Sequence, residues 1–322
     1  VRTVFWIGGR VLTAVLTMIG VSILIFAAAR LLPGSYADLV LGPLGSPEAK
    51  QAVTESLGLD QNIVTQYLLW FSAAVRGEFG TSFVTGLPVA DEIALRLPVT
   101  VGITIITLVV TVLVGIPLGF LTARRTTGVF APVGRVVGAL GISAPEFVVA
   151  SAVVFLVSRS AIGIAIGGYV PLTENPWVSV SSLLLPALVL SVFCITATAR
   201  ATRDAVLAVG VEPHISAAVG RGESPWFIVR HHMLRNISIP VLTIATTIMA
   251  SLLGGTVIVE NIFNVPGVGS YLVAALDRRD YLVIQAGVLL AAAVFIVTSL
   301  LVDLVSGYLD PRLRARLQGA TA

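Results

Sequence analysis

Residues 200–235 read RATRDAVLAVGVEPHISAAVGRGESPWFIVRHHMLR. This polar stretch lies between two uncharged runs, at about 175–199 and 236–259, and each is long enough to cross a bilayer. It holds five of the twenty basic residues (Arg200, Arg203, Arg221, Arg230, Arg235) and all three histidines. Within it Ser216-Ala217-Ala218-Val219-Gly220-Arg221-Gly222 sets paired alanines ahead of a glycine. An insert of this kind between two membrane-length runs reads as a surface offered to a partner.

Working outward, a chain of 322 residues that is 56% hydrophobic and 11% charged, with a mean hydropathy of +0.98, is too apolar for an ordinary soluble domain. Further uncharged runs fall at about 11–29, 97–123 and 281–302, and a sixth at 136–158 is broken only by Glu146. The expectation is an all-α polytopic membrane protein with six transmembrane helices. Arginine placement orients it, because basic residues near span ends are retained on the cytoplasmic side. With the N-terminus inside, Arg2, Arg10, Arg124, Arg125, Arg135, the five insert arginines, Arg312, Arg314 and Arg316 lie inside, and seven basic residues lie outside. Both termini are therefore expected to be cytoplasmic. Arg2, the run after it and Ala27-Ala28-Ala29 share features with a signal peptide. The spanning length of that run and the five runs after it favour a retained first helix.

The net charge of +3 is accounted for by the inside arginines, with no basic run or aromatic–basic interleaving, so no nucleic acid is expected. The one cysteine, Cys194, lies within a span, which leaves no disulfide framework and no metal-type spacing. A P-loop needs a lysine in Gly-x-x-x-x-Gly-Lys-[Ser/Thr], and the only lysine, Lys50, is followed by Gln51 and Ala52. All three histidines sit in the polar insert, so neither a membrane metalloprotease nor an intramembrane serine protease is supported. His231 and His232 read as polar helix surface near lipid headgroups. No catalytic residue and no metal ligand are expected.

The longest extramembrane stretch follows the first span. Ser46-Pro47-Glu48 starts a short helix to about Leu57, stopped at Gly58. A second helix runs from Gln61 to about Arg76, with Ile63, Tyr67, Trp70, Phe71 and Ala74 on one face. That face lies on the bilayer or on the protein's own spans, or docks an external partner; both readings stand. Gly115, Pro117 and Gly119 can loosen the end of the second span. In the insert, Glu212-Pro213 marks a helix start, Gly222 suits a left-handed stop, and Ser224-Pro225 starts a helix that re-enters the membrane. The result is a short helix shaped to sit in a partner's groove, or an amphipathic connector with none.

The insert resembles the cytoplasmic loop shared by permease subunits of ATP-binding-cassette (ABC) importers, whose pattern is Glu-Ala-Ala, three residues, then Gly. Ser216 takes the Glu position, Ala217 and Ala218 match, and Gly222 is the glycine. The likeness to the dipeptide/oligopeptide branch covers nearly the whole chain. It runs through Phe26 to Gly34, Leu57 to Gln61, Gly77 to Ser82, Leu97 to Thr100, His232 to Asn236 with Pro240, Ile262 to Gly269, Arg279-Asp280-Tyr281, Val302-Asp303-Leu304 and Leu309 to Arg312. The resemblance implies a type I ABC importer permease fold in a prokaryotic cytoplasmic (inner) membrane. It divides the chain into a first transmembrane helix over 1–30, an extracytoplasmic segment over 31–97, a five-helix core over 98–309 with the coupling loop 200–237, and a cytoplasmic tail over 310–322.

The same resemblance implies the partners: a second homologous permease subunit, two ATP-binding subunits that carry ATP and Mg, and an extracytoplasmic substrate-binding protein, with no cofactor on this chain. Ser216, Ala217, Ala218, Arg221 and Gly222 would contact an ATPase subunit. Pro266, Gly267 and Gly269 would form an outer loop or gate. The expected function is peptide import. The alternatives are a permease for another small solute, such as a metal chelate, and an independent ion-coupled carrier, which would need more intramembrane ionisable residues than Glu146 and Asp303.

Glu146 falls near the middle of the third run, where a charge costs about 2.5 kcal/mol or more, and the resemblance implies a small or weakly polar residue there. It reads either as a translocation-path residue facing solute, such as an amine, or as a protonated or arginine-paired structural carboxyl at a proline kink. Asp303 matches the family and reads as structural.

Overall fold

A backbone in apolar surroundings satisfies its N–H and C=O groups most simply within one helix, and helices dominate the computed structural model of this chain. The structure describes residues 2–31, 46–56, 60–124, 141, 143–160 and 166–309. Among the described residues the only β pairing is the isolated bridge between Thr81 and Pro88. Gly58 as a helix stop, the link through Arg125 and Arg135, most of the first half of the third run, and the tail 310–322 lie outside the described residues.

The first helix, α1 (Arg2–Leu31), packs along the last, α12 (Tyr281–Leu309). Arg10 and Asp303 join them at 2.9 Å, which places Asp303 in a helix–helix tie. Next come α2 (Pro47–Ser56) and α3 (Ile63–Val75). Ser46 accepts a hydrogen bond from the Ala49 N–H at the start of α2, and Asn62 accepts one from the Val64 N–H at the start of α3. Of the face expected on α3, Tyr67 and Trp70 close around Phe26 of α1 with ring centroids 5.5 and 5.7 Å apart. Tyr67 also hydrogen-bonds Ser22 at 2.8 Å, and Ala74 is buried, whereas Ile63 is exposed. The face therefore packs on the chain's own first helix.

Helix α4 (Val89–Val110), a π-helical turn (Thr111–Gly115) and α5 (Ile116–Arg124) run on as one rod. Pro117 has no N–H to give to the Leu113 carbonyl, so the α-helical register is broken where Gly115 and Pro117 were expected to loosen it. Gly119 lets α5 approach α7 (Pro176–Gly210): a Cβ there would stand 2.5 Å from the Thr202 Cβ and 2.6 Å from the Ala199 carbonyl oxygen. Helix α6 is Glu146–Arg159. The main core joins Val99 and Ile103 of α4, Ala150 of α6, and Leu183, Ala187, Leu190 and Cys194 of α7 to Ile248, Leu252 and Val259 of α10 (Leu234–Ile262).

Helix α7 corrects the reading of the insert. It does not end at residue 199 but continues for 35 residues to Gly210, so Arg200, Arg203 and Asp204 belong to the helix. The cause is a second apolar cluster: Ala205, Val206 and Val209 recur at helical spacing and are buried there with Ala123 of α5. Among the described residues, four helices are long and apolar enough to cross a membrane: Trp6–Leu31, Val89–Arg124, Pro176–Gly210 and Tyr281–Val305. Helix α10, 29 residues long, covers the run expected at 236–259. Of the run 136–158, only the part from Glu146 onward lies in α6.

Candidate functional site: the α8 segment and the turn at the opposite end

After α7 the chain turns into α8 (Pro213–Gly220), an eight-residue helix. Glu212 is its N-cap and Pro213 its first residue, where a missing N–H costs nothing. Gly222 closes it at φ +77°, with the Glu223 N–H donating to the Ala218 carbonyl at 3.2 Å. Ser224 then caps α9 (Pro225–Ile228) by accepting from the Phe227 N–H, and a π-helical turn (Val229–Met233) leads into α10.

The two faces of α8 differ. Ile215 and Ala218 are buried against Ala205, Val206 and Val209 of α7 and against Ile228 and Met233. Ser216, Ala217, Val219, Gly220 and Arg221 are exposed. Of the paired alanines, Ala218 thus attaches α8 to its own chain, and Ala217 lies on the outer surface. This contact falls on the last turns of α7, at Ala205, Val206 and Val209. From Gly210 to Leu190, in the main core, is about 30 Å of helix.

Charges fix the base of this helix. Glu223 accepts from the Arg221 guanidinium at 2.6 and 2.9 Å and contacts His232 Nε2 at 2.9 Å. The Arg221 hydrogen bonds foremost, with His232 adding, hold the Glu223 carboxyl below its ordinary range. His214 contacts Glu212 at 3.2 Å, and His231 stacks on Phe227 with centroids 4.1 Å apart. Behind α8 lies a cleft of about 480 Å³ lined by Phe120, Arg124, Leu207, Val219 and Met233 among others.

At the other end of α10 the chain turns through Pro266 into α11 (Val268–Asp277). Glu260, fully buried, organises this turn. Its carboxylate accepts from the Thr100 hydroxyl at 2.6 Å and from the Ser270 N–H at 3.0 Å, and the Val268 N–H donates to the Thr100 oxygen at 2.9 Å. Gly267 and Gly269 are buried because they lie against this carboxylate, where a Cβ at either position would collide with it. Pro266 is exposed. Of the three residues expected in the outer loop, only Pro266 therefore faces outward. Nearby, the Ser82 hydroxyl donates to Asp280 at 2.5 Å, and Arg96, paired with Glu92, lies 4.4 Å from the Tyr271 ring. Motif fragments read separately in the sequence, at residues 77–82, 97–100, 262–269 and 279–281, meet here. Glu260 itself was missed; its signal was an acid ending an apolar run seven and nine residues before two glycines.

Glu146 opens α6, directly after Pro145, and does not sit in the middle of a helix. Its carboxylate rests on Gly255 of α10, close to Leu190 of α7. Among the described residues no basic group lies within 4 Å of it, so the arginine-paired reading finds no partner there.

Residues 115–315 match the family described as binding-protein-dependent transport system inner membrane component, and residues 4–104 match its N-terminal counterpart. The chain belongs to this family. It is 34% identical over 307 residues to a probable peptide ABC transporter permease protein of Sinorhizobium fredii, covering 95% of this chain and 97% of that protein. It is 31% identical over 325 residues to the dipeptide transport system permease protein DppB of Alkalihalophilus pseudofirmus, covering 95% and 98%. Identity to the glutathione transport system permease protein GsiC of Shigella flexneri is 35% over 306 residues, covering 95% and 97%. The family and the membrane-length helices make this chain a multi-pass membrane protein.

Proposed function

We infer that this chain is one permease subunit of an ATP-driven importer of short peptides in a prokaryotic inner membrane. It crosses the bilayer six times with both termini in the cytoplasm, contributes half of the solute path and hydrolyses no ATP itself. The observation that carries this reading is α8: a short exposed helix anchored by Ala218 and Ile215 to the end of α7, in a chain whose relatives are named as peptide permeases. An ATPase subunit that closes on ATP contacts Ser216, Ala217, Arg221 and Gly222 and moves α7 as a lever, which switches access from one side of the path to the other. A second permease supplies the other half of the path, a second ATPase subunit completes the motor, and an extracytoplasmic binding protein delivers solute at the α11 end.

Reconstitution tests this. Uptake of peptide into proteoliposomes is expected only with both permeases, the ATPase subunits, the binding protein and Mg-ATP present. Uptake by this chain alone, driven by an ion gradient, would overturn the reading in favour of a carrier.

A further inference from the structure

A carboxylate in the interior of a membrane bundle needs compensation, because nothing in an apolar wall replaces its water. Glu146 lies thirteen residues before Arg159 at the far end of α6, about 20 Å along the helix axis. With Arg159 at the outer face, as the proposed topology has it, that is two-thirds of the roughly 30 Å hydrocarbon thickness and leaves about 10 Å to the inner face, beyond the reach of a short acidic side chain on either side. It lies where α6 packs on α7 and α10, and its carboxylate occupies the space left by the missing side chain of Gly255. A Cβ at Gly255 would collide with that carboxylate and stand 2.6 Å from Leu190 Cδ1, so glycine there is what admits it.

The carboxylate is nevertheless only partly buried, and among the described residues it has neither a hydrogen-bond donor nor a basic partner. Its position in the first turn of α6 favours negative charge but leaves the acceptor sites of both oxygens open. No cluster of three or more His, Cys, Asp or Glu able to hold a metal occurs among the described residues, and a hard divalent cation needs several oxygen ligands where this site offers one carboxylate. What fits one open carboxylate in an apolar wall is a compact monovalent organic cation with N–H donors.

We propose that Glu146 is the counter-ion for a positively charged group of the transported solute, the protonated amino group of a short peptide. The assignment rests on the reading that this chain lines a solute path. It makes the path itself, in addition to the binding protein, selective for charge. An ammonium passing α6 gains a charge-assisted hydrogen bond within the hydrocarbon layer, where it is costly to leave unpaired, and a blocked amine does not.

The first test uses the assembled importer in proteoliposomes and the ratio of trialanine to N-acetyl-trialanine uptake, in which any preference of the binding protein cancels between variants. Glu146→Gln is expected to lower that ratio at least about fivefold, and Glu146→Asp to restore most of it. An unchanged ratio overturns the proposal. The second arm needs no peptide. With a cysteine placed at exposed Ser143, a cationic methanethiosulfonate is expected to react faster than an anionic one. Adding Glu146→Gln should cut that preference at least about threefold, as one nearby charge in water-accessible space does. An unaltered preference, or no reaction with either reagent, also overturns it. If wild type carries neither peptide while the thiol arm succeeds, the peptide reading fails and the cation acceptor stands.

Discussion

Thr100 of α4 and Glu260 of α10, 160 residues apart in the chain, are joined by a 2.6 Å hydrogen bond, and the Thr100 oxygen in turn accepts from the Val268 N–H. One hydroxyl thus ties α4 to the carboxylate that closes α10 and to the backbone that opens α11. The turn is held by the buried Glu260 carboxylate and its part-buried partners, and polar groups so placed are expensive to leave unpaired.

Glu260→Ala should therefore destabilise the protein sharply. It strands the part-buried Thr100 hydroxyl and Ser270 N–H, at up to about 1–3 kcal/mol each, and opens a cavity beside Gly267. Thr100→Val should cost a similar share, and Thr100→Ser, which keeps the hydroxyl, much less. Thermal unfolding of detergent-purified protein reads this as a fall in Tm of several degrees for the first two. Equal Tm values across the set would remove the brace.

Glycines on two helices should respond oppositely to the same methyl group. At Gly119 an added Cβ meets the Ala199 carbonyl and Thr202 with no room to shift, so Gly119→Ala should cost about 1–3 kcal/mol through overpacking. At Gly20 of α1 nothing lies within 4 Å, and Gly20→Ala should be neutral or slightly stabilising through helix propensity. Yield and Tm of the two variants, side by side, provide the measurement.

These positions show how far the sequence could be read. The runs that became α1, α7 and α12 announce themselves by length and lack of charge, and Glu212-Pro213, Gly222 and Ser224-Pro225 mark α8 and α9 because caps and left-handed stops are local chemistry. The extension of α7 to Gly210 was hidden because Arg200, Arg203 and Asp204 read as loop, and only the second cluster, built from five helices and the π-helical turn before α10, buries Ala205, Val206 and Val209. The inward placement of Ala218 and the role of Glu260 were hidden for the same reason. Each depends on which side of a helix meets a distant part of the chain, and spacing along one segment does not specify that.

The ion pairs below α8 give a pH dependence with a definite sign. Glu223 has a carboxyl held below its ordinary value of 4.5, chiefly by Arg221 and then by His232. A depressed carboxylate contributes its local stability fully above the unfolded value and loses it as pH falls through the folded one. Hydrogen-exchange protection of residues 221–224 should hold steady from pH 6 to about 5 and decline below 4.5. In Glu223→Gln it should be lower at pH 6 and flatter below. A decline that persists unchanged in Glu223→Gln would assign it elsewhere.

Arg221 serves two readings that a pair of variants separates. It is exposed on the outer side of α8, yet its guanidinium is hydrogen-bonded to Glu223. If its role were confined to that internal pair, exchanging the two charges in Arg221→Glu/Glu223→Arg would restore fold and coupling in step, each short only of the share held by the Glu223–His232 contact that the exchange removes. If Arg221 also meets an ATPase subunit, the exchange restores the local pair and still presents the wrong charge to the partner. The expected outcome is that Arg221→Glu lowers substrate-stimulated ATPase activity of the assembled complex about tenfold, and that the double exchange recovers most of the Tm, short of the lost His232 contact, but less than half of the stimulation, since a like-charge contact at an interface costs on the order of 1–2 kcal/mol or more. Stimulation that recovers in step with Tm in the double variant would confine Arg221 to its own chain and move the partner contact to Ser216 and Ala217.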